Sequence, residues 1–175
     1  TWIRFSVAAI YDETYKKIHR GKDGDLRKAI DNIAYAVEWK KKKQLPTTLG
    51  VQCLLIQENK NEVLEMAREL KKIGVNYFTV KPYSQHTQSV NHLEVDYNEL
   101  LDLESNIRQY ESEEFRIYYR ANAMHKIRAN KEYDNCYGLP FMTHIDAKGN
   151  VWPCINFIGK QEYLYGNLYE HSFEE

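Results

Sequence analysis

The sequence predicts an α/β protein built on parallel strands, and three observations carry that reading. Strand-length apolar runs alternate with helical periodicities in the order strand, helix, strand, helix, strand. The inner strands are near-continuously apolar, as strands covered by helices are. The links between elements are short, which implies right-handed βαβ crossovers.

The first strand is WIRFSV, residues 2–7. Ile3, Phe5 and Val7 share one face, and Arg4 and Ser6 share the other. Over residues 25–44 the apolar positions Leu26, Ala29, Ile30, Ile33, Ala34 and Val37 recur at helical spacing. The lysines Lys40 to Lys43 fall in the last turn of this helix, where positive charge suits the dipole. LPTT breaks the helix, and TLGVQCLLI, residues 48–56, reads as the second strand. A second amphipathic helix presents Val63, Met66, Ala67, Leu70 and Ile73 on one face and stops at Gly74. VNYFTVKP, residues 75–82, is a third strand ended by proline.

The pattern then changes. A polar loop, YSQHTQSVNH, leads to a helix over residues 96–110 and a short strand, FRIYY. An irregular stretch follows, and then a β-hairpin turned by DAKGN, with Cys136 and Cys154 outside its two stems. The sequence divides into residues 1–90 and a smaller α+β module at 91–175, with the boundary near 83–95. His86 and His92 sit in the connecting loop and read as solvated.

With 43% hydrophobic and 28% charged residues and a formal charge of −1, the chain has no electrostatic signature of a nucleic-acid or membrane partner. No apolar run approaches the roughly 20 residues of a membrane helix. Three cysteines do not make a secreted disulfide framework, so the expected compartment is the reducing cytoplasm. Strand-like sequence begins at Trp2 with no lead-in, which reads as part of a longer protein.

The polar face of the first strand has two readings. Arg4 and Ser6 point into the lumen of a barrel, where polar side chains line a ligand site at the C-terminal strand ends, or they lie on a solvated edge strand. Gln52 and Lys81 share the lumen-facing phase in the first case. The two hairpin cysteines are likewise open, as ligands of an iron–sulfur cluster, half of a zinc site, or two unpaired thiols.

WIRFSVAAIYDETYKKIHRG, DNIAYAV and LLIQENKNEVLEMARELKKIGVNYFTVKPYS together resemble the second half of the barrel in radical S-adenosylmethionine (radical SAM) enzymes. The spacing Cys136-x12-Gly149-x4-Cys154, followed by YGNLYEHSFEE, resembles the opening of the SPASM extension of that family. The resemblance implies half of a partial (β/α)6 TIM-like barrel, strands four to six, followed by a small α+β iron–sulfur module.

It further implies that Ser6 and Arg20 contact S-adenosylmethionine, with Gln52 and Lys81 as further cofactor-facing candidates. Cys136 and Cys154 would ligate an auxiliary [4Fe–4S] cluster whose other ligands lie outside this chain. The implied reaction is reductive cleavage of S-adenosylmethionine to a 5′-deoxyadenosyl radical that abstracts hydrogen from a peptide, sugar or small-molecule substrate. An electron donor such as flavodoxin or ferredoxin would supply the reducing equivalent.

This chain carries neither the family's Cys-x3-Cys-x2-Cys loop nor its GGEP-like strand, so by itself it is expected to be inactive. Ala8 and Ala9 also stand where the family's strand-four aspartate is expected. The competing classes are a zinc-binding or cluster-free α/β interaction module and a non-redox barrel enzyme. The latter would need a phosphate-cradling glycine loop, which the sequence does not show.

Overall fold

The computed structural model describes residues 1–85, 89–90, 93, 95–128 and 133–174. His86 and His92 lie outside the described residues. The chain forms two compact units, Thr1–Ser84 with Leu93–Ala129 and Gln85–His92 with Asn130–Glu175.

In the first unit the order is β1 (Trp2–Ser6), α1 (Asp12–His19), α2 (Asp25–Lys42), β2 (Thr48–Leu55), α3 (Val63–Ile73), β3 (Tyr77–Pro82), α4 (Leu101–Arg108), β4 (Arg116–Tyr119) and α5 (Ala121–Arg128). The four strands form one sheet in the order β1-β2-β3-β4, and every adjacent pair is parallel.

Strand phase decides which side of the sheet is buried. Leu49, Val51, Cys53 and Leu55 of β2 and Phe78 and Val80 of β3 are at most 2% exposed. They pack with Ile33 and Val37 of α2, Met66, Ala67 and Leu70 of α3, and Ile107 of α4 in one continuous cluster. Each such aliphatic or aromatic side chain contributes about 1.5–3 kcal/mol by leaving water. Of the alternate positions, Arg4, Ser6, Gln52, Leu54, Tyr77, Lys81 and Tyr118 stand outside this cluster and remain at least partly accessible, while Gly50 and Thr79 (8% exposed) are covered by their neighbours. The helices therefore bury one face of the sheet and leave the other open.

Two features differ from the sequence reading. FRIYY, expected in the second module, is β4, and it extends the parallel sheet by pairing Tyr77–Val80 with Arg116–Tyr119. Its period-two pattern is correct, but four residues do not reveal a partner. The stretch after it, read as irregular, contains α5. This helix is two turns long; among its described residues Met124 is buried in the core and Ala121 packs against it, so its helical period barely repeats.

The second unit contains an antiparallel sheet of β5 (His144–Ile145), β6 (Asn150–Trp152) and β7 (Gly166–Asn167), in that order. β5 and β6 are the hairpin expected from the sequence. The glycine–asparagine pair of YGN is its third strand.

The asymmetry of the parallel sheet has a measurable consequence. Phe78→Ala is expected to cost about 3–5 kcal/mol in urea unfolding, because it empties a fully packed site. Tyr118→Ala, on the open face with 54% exposure, should cost about 1 kcal/mol. Equal losses would show that both faces are buried alike.

Candidate functional site

The parallel register brings three of the sequence-derived candidates onto the open face. Ser6 pairs with Gln52, and Gln52 pairs with Thr79, so these residues form one row across three strands. Thr79 pairs in turn with Tyr118. Lys81 stands two residues beyond Thr79 on the same face, beside Leu54. Adjacent strands lie about 4.8 Å apart, so this is a short polar row of hydroxyl, amide and ammonium groups toward the C-terminal strand ends. Thr79 completes the row and was not anticipated, although counting back two residues from Lys81 would have found it.

Below that row the face is filled. Arg4 pairs with Gly50 and Gly50 with Tyr77. Gly50 has no side chain because the Tyr77 ring lies over it, and a Cβ at this position would overlap the ring. Tyr118 meets Tyr77 edge-on at 5.7 Å, and the Arg4 guanidinium stands over the Trp2 ring at 5.2 Å. The arrangement has an aromatic lower layer and a polar upper one. Barrel enzymes likewise place their chemistry at the C-terminal strand ends. A cleft of about 570 Å³ at the opposite ends is lined by Lys40, Lys71, Asn76 and Arg116 among others. Its lysines belong to the last turns of α2 and α3, where they complement helix C-termini.

Arg20 is not in the row. It caps the C-terminus of α1 in the left-handed conformation, with φ of 54°, and its side chain is exposed. The residue before it ties this point to the end of β1, because the Ala8 N–H donates to His19 Nε2 at 3.1 Å. His19 also stacks on Tyr15 at 4.3 Å, and burial lowers its pKa, which favours the neutral ring that can accept this bond.

The loop after β2 approaches from the other side. Asn59 is fully buried: its Oδ1 accepts the Ile56 N–H at 2.9 Å, and its Nδ2 donates to the carbonyls of Ala8 at 2.7 Å and Leu54 at 2.8 Å. Glu62, 5% exposed, accepts the N–H groups of Ile10 at 2.9 Å and Tyr11 at 3.3 Å. Nothing in the sequence marks these polar residues as buried, because both lie in a charged-looking loop, QENKNE.

Cys53 lies on the helix-covered face, fully buried, and burial pushes its thiol up to about 12. It is therefore an inert core residue.

In the second unit Cys136 is exposed before β5, and Cys154 is half-buried just after β6; both thiols are free. Each cysteine carbonyl closes a tight turn, accepting the N–H of Leu139 at 3.4 Å and of Phe157 at 3.0 Å respectively. Among the described residues, no three His, Cys, Asp or Glu side chains gather as a metal site. For a [4Fe–4S] cluster the chain thus offers two thiolates of the usual four. These donors are of the right chemistry and accessible.

The hairpin between the cysteines is organised by Asp146. Its carboxylate accepts the backbone N–H groups of Lys148 at 2.8 Å and Asn150 at 3.1 Å, the Asn150 side-chain amide at 3.0 Å and the Trp152 indole N–H at 3.0 Å. Gly149 turns the chain with φ of 78°, and the Tyr169 ring closes over it, 2.7 Å from where a Cβ would stand. Asn167 locks β7 to the hairpin, donating to the Lys148 carbonyl at 3.0 Å and to Asn150 Oδ1 at 2.8 Å. Gly149 and Asn167 of the sequence motif therefore have structural roles, whatever the cysteines hold.

No family model matches this sequence, and no curated protein matches it. Solved structures do match. The chain shares its fold with Streptococcus suis SuiB, at a TM-score of 0.69 and 15% identity, over 98% of this chain and 42% of SuiB. SuiB bound to S-adenosylmethionine matches at a TM-score of 0.70, with 15% identity over 98% of this chain and 41% of SuiB. SuiB bound to the precursor peptide SuiA matches at 0.67, with 14% identity over 98% and 40% of the respective chains. The chain spans about two fifths of the length of these structures, and at this identity the likeness is one of fold.

The Asp146 network predicts a pH response. The four donated bonds, led by that of the Asn150 side chain, hold the carboxyl at about 2, below its ordinary 3.8. A lowered folded-state pKa contributes stability that is present above the unfolded value and is lost as pH falls through the folded one. The hairpin should therefore loosen as pH falls from about 4 to about 2. The Trp152 indole N–H resonance should shift over that window, and Asp146→Ala should show the shifted position at neutral pH. An indole signal unchanged by both would remove Asp146 from the centre of the hairpin.

Proposed function

We propose that this chain is part of a radical S-adenosylmethionine enzyme with a SPASM-type auxiliary cluster. In this reading β1, β2 and β3 are strands four to six of a partial barrel, and the open face is its lumen. The observation that carries the reading is the polar row Ser6–Gln52–Thr79 with Lys81, on the one sheet face that helices leave uncovered. The sequence motifs support it, as does the fold shared with a protein crystallised with S-adenosylmethionine.

Ser6 and Gln52 would donate to and accept from the polar groups of S-adenosylmethionine. Arg20, presented at the end of β1 by the His19–Ala8 bond, would pair with its carboxylate, a task suited to a planar guanidinium. Lys81 would stand at the mouth of the lumen. The Tyr77–Tyr118 pair and Trp2 would form an aromatic layer below the site. When bound, the reducing cluster of the family supplies the electron that cleaves S-adenosylmethionine, and flavodoxin or ferredoxin is the class of donor for it.

Cys136 and Cys154 would hold two corners of the auxiliary [4Fe–4S] cluster, at the base of a hairpin made rigid by Asp146 and Asn167. A peptide is the favoured substrate class, since SuiB has been crystallised with its precursor peptide. The cytoplasm is the compartment consistent with free thiols.

The test uses the protein carrying all cluster ligands. Cys136→Ala or Cys154→Ala should each lower iron and sulfide by about one cluster per chain and leave the S-adenosylmethionine-binding cluster in place. Unchanged iron, or zinc without sulfide in the parent, would replace this reading with that of a structural or zinc-binding hairpin. For the lumen, Ser6→Ala should weaken S-adenosylmethionine binding about two- to tenfold by calorimetry, the loss of one hydrogen bond.

A further inference from the structure

We propose that the β2–α3 loop, through Asn59 and Glu62, is the positioning element of the ligand site at the C-terminal strand ends. It acts by fixing the β1–α1 loop, residues 7–11, and so the placement of Ser6 and Arg20 on either side of that loop. The inference rests on reading the open face as an S-adenosylmethionine site.

The geometry is unusual for a connecting loop. Val7, Ala8 and Ala9 are at most 3% exposed, yet they carry no polar side chain that could anchor the segment. Several of its backbone groups are bonded from outside. Asn59 takes the Ala8 carbonyl, His19 takes the Ala8 N–H, and Glu62 takes the N–H groups of Ile10 and Tyr11. The Val7 N–H donates to the Gln52 carbonyl at 3.0 Å, which links the same segment to the polar row. Two backbone carbonyls, of Leu54 and Ala8, meet at the one Asn59 amide, so the ends of β1 and β2 cannot shift independently.

Glu62 is the more telling residue. A buried carboxylate costs several kcal/mol unless it is paired or hydrogen-bonded. Among the described residues it forms no ion pair, and its support is two backbone N–H groups together with its place at the N-terminus of α3. A surface N-cap would serve the helix equally well by turning inward to α3. Here no side-chain cap bond is made, and the carboxylate reaches 51 and 52 positions back along the chain. The residue is used to hold the other loop. Ser6 leads into the clamped segment and Arg20 follows its far anchor, His19, so slack in the segment moves both ligand contacts at once.

Glu62→Ala, Glu62→Gln and His19→Ala in the full-length protein test this, with S-adenosylmethionine affinity by calorimetry and amide exchange at Ile10, Tyr11 and Ala8 without ligand. Glu62→Ala should speed exchange at Ile10 and Tyr11 and weaken S-adenosylmethionine binding about tenfold, as expected for a buried acceptor removed. Glu62→Gln keeps an accepting oxygen, so it should restore slow exchange and bring affinity within about threefold of the parent. His19→Ala, at a half-buried position, removes the acceptor of the Ala8 N–H and should speed exchange at Ala8 and weaken binding in the same direction. It serves also if Glu62→Ala does not fold. Faster exchange with unchanged affinity would overturn the positioning role while leaving the ligand site intact. A parent protein that binds no S-adenosylmethionine would overturn both, and slow exchange in the variants would show there is no clamp.

Discussion

Everything in the first unit depends on one constraint: the side chains of a parallel sheet must leave water on the face its crossover helices cover. The crossover helices α2 and α3 pack on a common side, as right-handed βαβ units require, and their apolar stripes meet Val51, Cys53, Leu55, Phe78 and Val80 there. Because strand side chains alternate, satisfying this face fixes the other. Ser6, Gln52, Thr79 and Lys81 align on the open side as a consequence of Phe5, Val51, Phe78 and Val80 packing on the closed one. A register slip of one residue would bury the polar row and expose the core.

The open face is graded along the strands. Its lower part is occupied by Tyr77 over Gly50, by Tyr118 and by the Trp2–Arg4 stack. Its upper part carries small and polar groups. The loops at that upper end are held by buried polar side chains, where hydrogen bonds are directional and each orphaned group would be costly. The unit thus combines non-directional packing on one side with directional anchoring at one end. That is the arrangement a binding site on a rigid scaffold requires.

The second unit is too small to rely on a core. Among its described residues Trp152 is the one large apolar side chain that is fully buried, at 3% exposure. Order comes instead from Asp146, Asn150 and Asn167, which bond to backbone and to one another around the Gly149 turn. A hairpin held in this way can present flanking cysteines without their contributing to its fold. This separates the stability of the unit from whatever the thiols bind.

The sequence alone determined the alternation of elements, the hairpin and the phase of Ser6, Gln52 and Lys81, because apolar periodicity reports directly on which side of an element must be buried. It also separated Cys53, inside a strand, from the two hairpin cysteines. What it left undecided depends on partners distant in the chain. β4 joins the sheet because Tyr77–Val80 offers a free edge, and four residues of alternating pattern do not name that edge. α5 is too short for its period to register. Asn59 and Glu62 look like solvated loop residues until the end of β1, about fifty residues earlier, is folded against them. Burial of a polar group is decided by whether tertiary structure brings it a partner, and no local pattern encodes that.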